Sequence, residues 1–322
     1  MKRRHLLQAT AAIVALPRIG FAQSYPSRSI RYIVPVAAGG GNDMIARVVT
    51  QRWGVLLGQT FIVENQGGGG GVIASVTTAR AAPDGYTLMQ GYVATHGTTP
   101  ATRSIPYDPI KQFTPIGMIG ATPNVLVVDA NLPVKTVMEF VDYVKRNPDK
   151  VSYGSAGAGS LTHMTMELFK QETGTIILHV PYRGIAPAIN DLLGGRTQAM
   201  FPGLAAALPH LRSGRIRALA VTGKARSAQL RDVATMVELG FKGFDAMQWY
   251  GTVGPAGMAP DVVKRLNETQ VAVLNTAELR KQLSSEAVEP WPMTPEQFGE
   301  YIRSEIARWT ALAKARNIRL EE

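Results

Sequence analysis

Short apolar runs alternate with longer segments of helical period along most of this chain. Residues 29–35 (SIRYIVP) form a run of strand length, rich in β-branched residues and closed by proline. The next segment, MIARVVTQRWGVLLG, places Ile45, Val48, Val49, Trp53 and Leu56 at helical spacing, with Asn42 or Asp43 as cap and Gly58 as stop. A second strand is predicted over 60–65 (TFIVEN) and a helix over 72–81. Pro83-Asp84-Gly85 reads as a turn, and YTLMQ as a third strand. This β-α-β-α-β order predicts parallel strands with right-handed crossovers.

The alternation resumes at 124–129 (NVLVVD). Thr136 and Glu139 make a capping box for a helix running to Arg146. VSYG, a helix from Leu161, IILHVP, a helix around Asn190, TQAMF, a helix near Leu208 and RALAVT follow. Two helices are predicted to close the chain, the second opening at Thr294-Pro295-Glu296-Gln297 with proline at its first position. Two α/β units of this size predict two lobes with a cleft between them. In open α/β sheets, ligands bind outside the carboxyl ends of the strands. Three unusual loops fall there: PVAAGGGND, NQGGGGG with five glycines from Gly67 to Gly71, and YGSAGAGS. Each leads into a helix N-terminus, whose free N–H groups and dipole favour an anion. Glycine at such a place also serves tight packing of turn against sheet.

Composition narrows the picture. The 322 residues are 45% hydrophobic and 18% charged, which suits a globular chain with one or two cores. There is no cysteine, which excludes disulfides, thiolate metal sites and a cysteine nucleophile. The net charge of +10 raises the question of nucleic acid. Its basic residues are scattered, however, and no nucleic-acid motif is present, so no nucleic-acid partner is expected. Lys2, Arg3 and Arg4, the apolar stretch 6–16 and Gly20-Phe21-Ala22 read as an export leader over 1–22, cleaved after Ala22. An ordinary secretion route is expected rather than the twin-arginine one, with the periplasm as destination. Loss of 1–22 removes four positive charges and lowers +10 to +6.

Tests for enzyme chemistry are negative. The dinucleotide pattern fails at Gly157-Ala158-Gly159, because Thr162 stands where the third glycine belongs. No phosphate-binding P-loop occurs. Ser155 lacks the glycine of a nucleophile elbow, since Tyr153 sits two residues before it. The five histidines are His5, His96, His163, His179 and His210. His163 and Glu167 stand four apart, but no second histidine completes a zinc pattern. His163 is expected to bond near the helix start, and His179 to be structural. No catalytic residue, metal or cofactor is expected.

PVAAGGGNDMIARVV, NQGGGGGVIASVTTARAAPDGYTL, IPYDPIKQFTPIG, YGSAGAGSLTHMTMELF, HVPYRGIAPAINDLLGGRTQAMF and ALAVTG together resemble the Bug-type receptors. These are the extracytoplasmic solute-binding proteins of tripartite tricarboxylate transporters. The resemblance runs from about Tyr25 to the C-terminal helix. It implies a two-lobed, type II periplasmic-binding-protein-like α/β fold, with a ligand cleft between lobes and two chain crossings. The lobes are expected at 23–122 plus 250–322, and at 123–249, with Trp249-Tyr250-Gly251 near the second crossing. It further implies a monomeric binding protein, not an enzyme, that captures a small carboxylate for a permease or a sensor. The carboxylate is held mainly by backbone N–H groups, small hydroxyls and water rather than by a basic clamp. Carried onto this chain, the site comprises Val36, Ala37, Gly39, Gly40, Asn42 and Asp43 after the first strand, and Ser155, Gly157, Gly159, Ser160 and His163 in the third loop. Tyr182, Gly184 and Phe201 are expected as the opposite wall. Asp43 has two readings, touching ligand or shaping its loop, because an ionised carboxylate repels another. Pro202-Gly203 stand where many relatives carry an acidic residue, which weakens the case for an amino-acid ligand. The rival reading is a secreted α/β hydrolase with Ser155 as nucleophile. A third reading is a structural envelope protein without a ligand.

Overall fold

The computed structural model describes residues 25–320, so the expected leader lies outside the described residues. The first elements are β1 (Ile30–Val34), α1 (Gly41–Leu57), β2 (Phe61–Asn65), α2 (Val72–Ala79) and β3 (Thr87–Tyr92). β1 pairs in parallel with both β2 and β3, as the alternation predicts. Both faces of β1 are covered. Ile30, Tyr32 and Val34 share a core cluster with Ile45, Val49 and Trp53 of α1, whereas Ile33 clusters with Ala74 of α2. Burial on both faces explains why the strand reads as a continuous apolar run. Two details of α1 differ from expectation. Gly40 is its cap, leaving Asn42 and Asp43 in the first turn, and Leu57 is buried in place of Leu56.

After α3 (Thr99–Thr102) comes the eleven-residue β4 (Phe113–Pro123), which continues through Asn124 into β5 (Val125–Asp129). This stretch leaves one sheet and enters the other. The second sheet is built with α4 (Val137–Arg146), β6 (Ser152–Ser155), α5 (Leu161–Thr173), β7 (Leu178–Pro181), α6 (Ile185–Leu193), β8 (Ala199–Met200), α7 (Leu204–Arg212) and β9 (Ile216–Val221). Its order is β7-β6-β8-β5-β9, parallel around β6 and antiparallel around β5. The chain rejoins the first sheet in β10 (Met247–Pro255) and ends with α8 (Pro260–Leu274), α9 (Ala277–Ser285), β11 (Glu289–Pro290) and α10 (Pro295–Ala315). Three helices thus follow β10, where two are predicted.

The first sheet has the order β11-β4-β10-β3-β1-β2, with β10 antiparallel to its neighbours β3 and β4. Trp249, Tyr250 and Gly251 lie inside β10, Trp249 opposite Ala121 and Gly251 opposite Gly91. Thr294 and Gln297 form the full reciprocal capping box of α10, as predicted. The halves also touch beyond the crossings. Leu161 and Met164 of α5 cluster with Trp309 and Leu312 of α10, and Arg316 Nε donates to Glu167 Oε2 at 3.0 Å.

Candidate ligand-binding cleft

The strand-end loops of both sheets meet at a cleft of about 560 Å³. Four helices begin on its wall: α1 at Gly41 and Asn42, α5 at Ser160 and Leu161, α6 at Gly184 and Ile185, and α7 at Gly203. The first N–H groups of a helix have no partner inside it. Side chains such as Ser or Asp usually cap them. Here Gly40, Gly184 and Gly203 occupy the cap positions of α1, α6 and α7, and none supplies a side-chain cap. The uncapped donors and the helix dipoles are of the kind that favour an anion. Thr122, Asn124, Gln248 and Tyr250, from the β4–β5 stretch and β10, complete its wall. Among the described residues that line it, none is an aspartate or glutamate, and Arg103 is the one charged side chain.

The expected site residues divide into three groups. Val36, Asn42, Gly159, Ser160 and Gly184 line the cleft. Ala37, Gly39 and Gly40 are exposed beside it. The others, Asp43, Ser155, Gly157, His163, Tyr182 and Phe201, are not among the lining residues. Asp43 is 4% exposed, and its carboxylate accepts from Gly39 N at 2.9 Å, Arg47 Nε at 3.0 Å and Asn65 Nδ2 at 2.9 Å. Burial opposes its ionisation, yet Arg47, Gly39 and Asn65 together hold the carboxyl below its usual range. These contacts fit the loop-shaping reading. Phe201, expected on the opposite wall, is fully buried in the second core against Phe169 and Phe244. Tyr182 turns its hydroxyl to Asp191 Oδ2 at 2.6 Å.

Beneath the third loop the rings of His163 and His179 stack 4.1 Å apart. His163 Nδ1 accepts from Gly159 N at 3.0 Å. Gly157 N donates to Ser155 Oγ at 3.1 Å, and the same oxygen shares a hydrogen bond with His179 Nε2 at 2.7 Å. Burial pushes both imidazoles down to about 4, so both are neutral at pH 7. The Ser155–His179 contact gives the serine of the hydrolase reading a histidine neighbour. Ser155 is nonetheless fully buried and its oxygen is already engaged, so it fastens the loop. Gly159 itself has φ +74°, and a Cβ there would stand 2.7 Å from Thr102 Oγ1. Among the described residues no group of three or more His, Cys, Asp or Glu is placed to hold a metal.

The glycine run has both a packing and a conformational cause. A Cβ on Gly67 would lie 2.9 Å from Ala37 N, and Gly68 to Gly71 all have positive φ. Gly70 reaches the cleft. Sequence reasoning missed Tyr92, Thr99, Arg103, Thr122, Asn124 and Gln248, which also line it.

Fold and cleft together define a two-lobed solute-binding protein. Residues 45–318 match the model of the tripartite tricarboxylate transporter family receptor, and the chain belongs to that family. Its members are binding proteins rather than enzymes. The chain is 35% identical to protein BugT of Bordetella pertussis, covering 97% of this chain and 96% of the relative. It is 35% identical to R. palustris Rpa4515, solved with adipate, with a TM-score of 0.82 over 92% of this chain and 99% of that one. MatC (Rpa3494) of Rhodopseudomonas palustris, solved with bound malate, is 32% identical, with a TM-score of 0.78 over 89% of this chain and 99% of that one. No helix among the described residues is long and apolar enough to cross a membrane.

Proposed function

We propose that this protein is a periplasmic, monomeric receptor that closes its two lobes on a small organic carboxylate and delivers it to a membrane permease or a sensor. The observation that carries this reading is the convergence of four helix N-termini, three capped by bare glycine, on a cleft with no acidic residue among the described residues that line it. Such a cleft attracts an anion and rejects cationic amines. The adipate and malate bound by two relatives support the same ligand class. The lobes we propose follow the sheets, one carrying β1–β4 with β10, β11 and the C-terminal helices, the other β5–β9. Since α1 lies on one lobe and α5, α6 and α7 on the other, a bound carboxylate completes its contacts only in the closed form. That difference in affinity shifts the population towards closure.

The test is a thermal-shift screen of mono- and dicarboxylates beside sugars and cationic amines, with small-angle scattering on each hit. Ligand at about a hundred times its dissociation constant adds about 2.7 kcal/mol of stability. A carboxylate is expected to raise the melting temperature and reduce the radius of gyration together. Stabilisation by sugars or amines alone overturns the ligand class, and stabilisation without compaction overturns closure.

A further inference from the structure

Helix α10 does not keep to one lobe. Its first turns belong with β10, where the ring of Phe298 lies against Gly251. Its middle grips the chain where it crosses back into β10. Glu305 Oε2 accepts from Trp249 Nε1 at 2.9 Å, and Arg308 Nη1 donates to Asp245 Oδ1 at 2.7 Å. Its end reaches the other lobe. Leu312 clusters with Leu161 and Met164 of α5, and Arg316 Nε donates to Glu167 Oε2 at 3.0 Å. A backbone turn then steers the residues that follow. Asn317, at φ +52°, donates its N–H to Lys314 O at 3.3 Å, and Ile318 N donates to Ala313 O at 2.8 Å. These are the two bonds of a Schellman motif, and Ile318 packs into the same cluster as Leu312 and Ala313. The chain is thereby turned back to α3, where Leu320 N donates to Thr102 O at 2.9 Å.

This strap, residues 316–320, runs up to the edge of the cleft. A Cβ on Gly159 would stand 2.7 Å from both Leu320 Cδ1 and Thr102 Oγ1, so the glycine of the third loop sits against strap and α3 together. The strap therefore meets the opposite lobe twice, at Glu167 and at Gly159, while Thr102 and Ala313 anchor it to its own. Both outer contacts are of a kind that can be released. Glu167 also accepts from Tyr153 OH at 2.8 Å and from Lys170 Nζ at 2.6 Å, both of its own lobe. Its buried carboxylate thus stays paired when Arg316 leaves, and the Arg316 side chain, already 30% exposed, returns to water. Leu320 meets Gly159 through a methyl group, with little to lose on parting. We propose that Arg316 and Leu320 form a latch that holds α5 and the third loop against the lobe of α10, and that its release sets how readily the cleft opens. This rests on the closing receptor proposed above and names residues outside the cleft wall that govern the closure.

The experiment compares the wild type with Arg316→Gln, Arg316→Lys and Leu320→Ala. Small-angle scattering is recorded without ligand, and the release of whichever mono- or dicarboxylate binds the wild type is followed by stopped flow, with adipate and malate as the first probes. Arg316→Gln and Leu320→Ala are expected to enlarge the ligand-free radius of gyration. They should also speed release about two- to fivefold, the range for one partly exposed ion pair, with association within about twofold of the wild type. Arg316→Lys keeps the charge but loses the planar fork, and falls between the wild type and Arg316→Gln. A lower melting temperature with an unchanged radius and unchanged release would make these contacts structural supports only and overturn the latch. Failure of every carboxylate to bind the wild type counts against the receptor reading, and the ligand-free scattering then decides the latch by itself.

Discussion

Asp43→Asn separates two roles for this residue by the sign of its effect. The carboxylate accepts three hydrogen bonds, from Gly39 N, Arg47 Nε and Asn65 Nδ2. Asparagine keeps one acceptor oxygen. Turned to Arg47 and Asn65, it presents an NH₂ group to the N–H of Gly39, and the tie that folds the loop back onto α1 is lost. One hydrogen bond to a charged group is worth about 1.5–3 kcal/mol. The half-exposed Arg47 ion pair, four residues along the helix, adds at most about 0.5 kcal/mol. The expected loss is therefore about 2–3 kcal/mol, or about 4–12 °C in melting temperature at roughly 2–4 °C per kcal/mol. A carboxylate ligand then binds several-fold more weakly, because the start of α1 must be reordered on binding. If Asp43 instead touched the ligand, two like charges about 4 Å apart would repel by about 4 kcal/mol at an effective dielectric constant near 20. Removing that repulsion would tighten binding by orders of magnitude. Thermal melting with calorimetry on both proteins decides the matter. Tighter binding with an unchanged melting temperature refutes the loop-shaping role.

Gly159→Val should abolish carboxylate binding, because positive φ and the collision with Thr102 force the third loop to move; calorimetry near wild-type affinity would contradict this. Ser160→Ala removes the cap of α5, which accepts from His163 N, and should cost about 1 kcal/mol in urea unfolding. Ser155→Ala strips the bonds to Gly157 N and His179 Nε2 and should cost about 1–3 kcal/mol, with weaker binding following from the loosened loop. Stability should also fall in acid. The unfolded histidines protonate near 6.5 while folded His163 stays neutral until about 4, so the unfolded chain takes up protons first as the pH drops. The contribution of His163, up to roughly 3 kcal/mol, is complete above pH 6.5 and lost as the pH falls through 4; urea midpoints level between pH 7 and 4.5 would rule it out.

The parallel β1–β3 unit and the capping box at Thr294 were legible because each is a local pattern. β1 is an unbroken apolar run, and Thr294 and Gln297 stand at the required spacing. The long strands β4 and β10 were not legible. Gly117 and Gly120 interrupt β4, and Gly251 and Gly254 interrupt β10, which weakens any strand signal. The structure gives their cause: a Cβ on Gly117 would lie 2.7 Å from Asn267 Nδ2 of α8, and one on Gly251 would overlap the ring of Phe298. These are long-range contacts that no local window holds. The same holds for the site. The glycine loops announce themselves at the strand ends, whereas Thr122, Asn124 and Gln248 reach the cleft only through the pairing of the two sheets. Phe201 misled because a strand end next to a turn reads alike whether its side chain faces the cleft or the core.

The most direct test is a crystal structure of the protein grown with the carboxylate that binds it most tightly in solution. The receptor reading places that molecule between the two sheets, one carboxylate within hydrogen-bond distance of N–H groups at the uncapped helix starts, with Gly159 and Ser160 closed over it. A carboxylate found elsewhere on the surface, with the cleft unoccupied and the lobes apart, would contradict it.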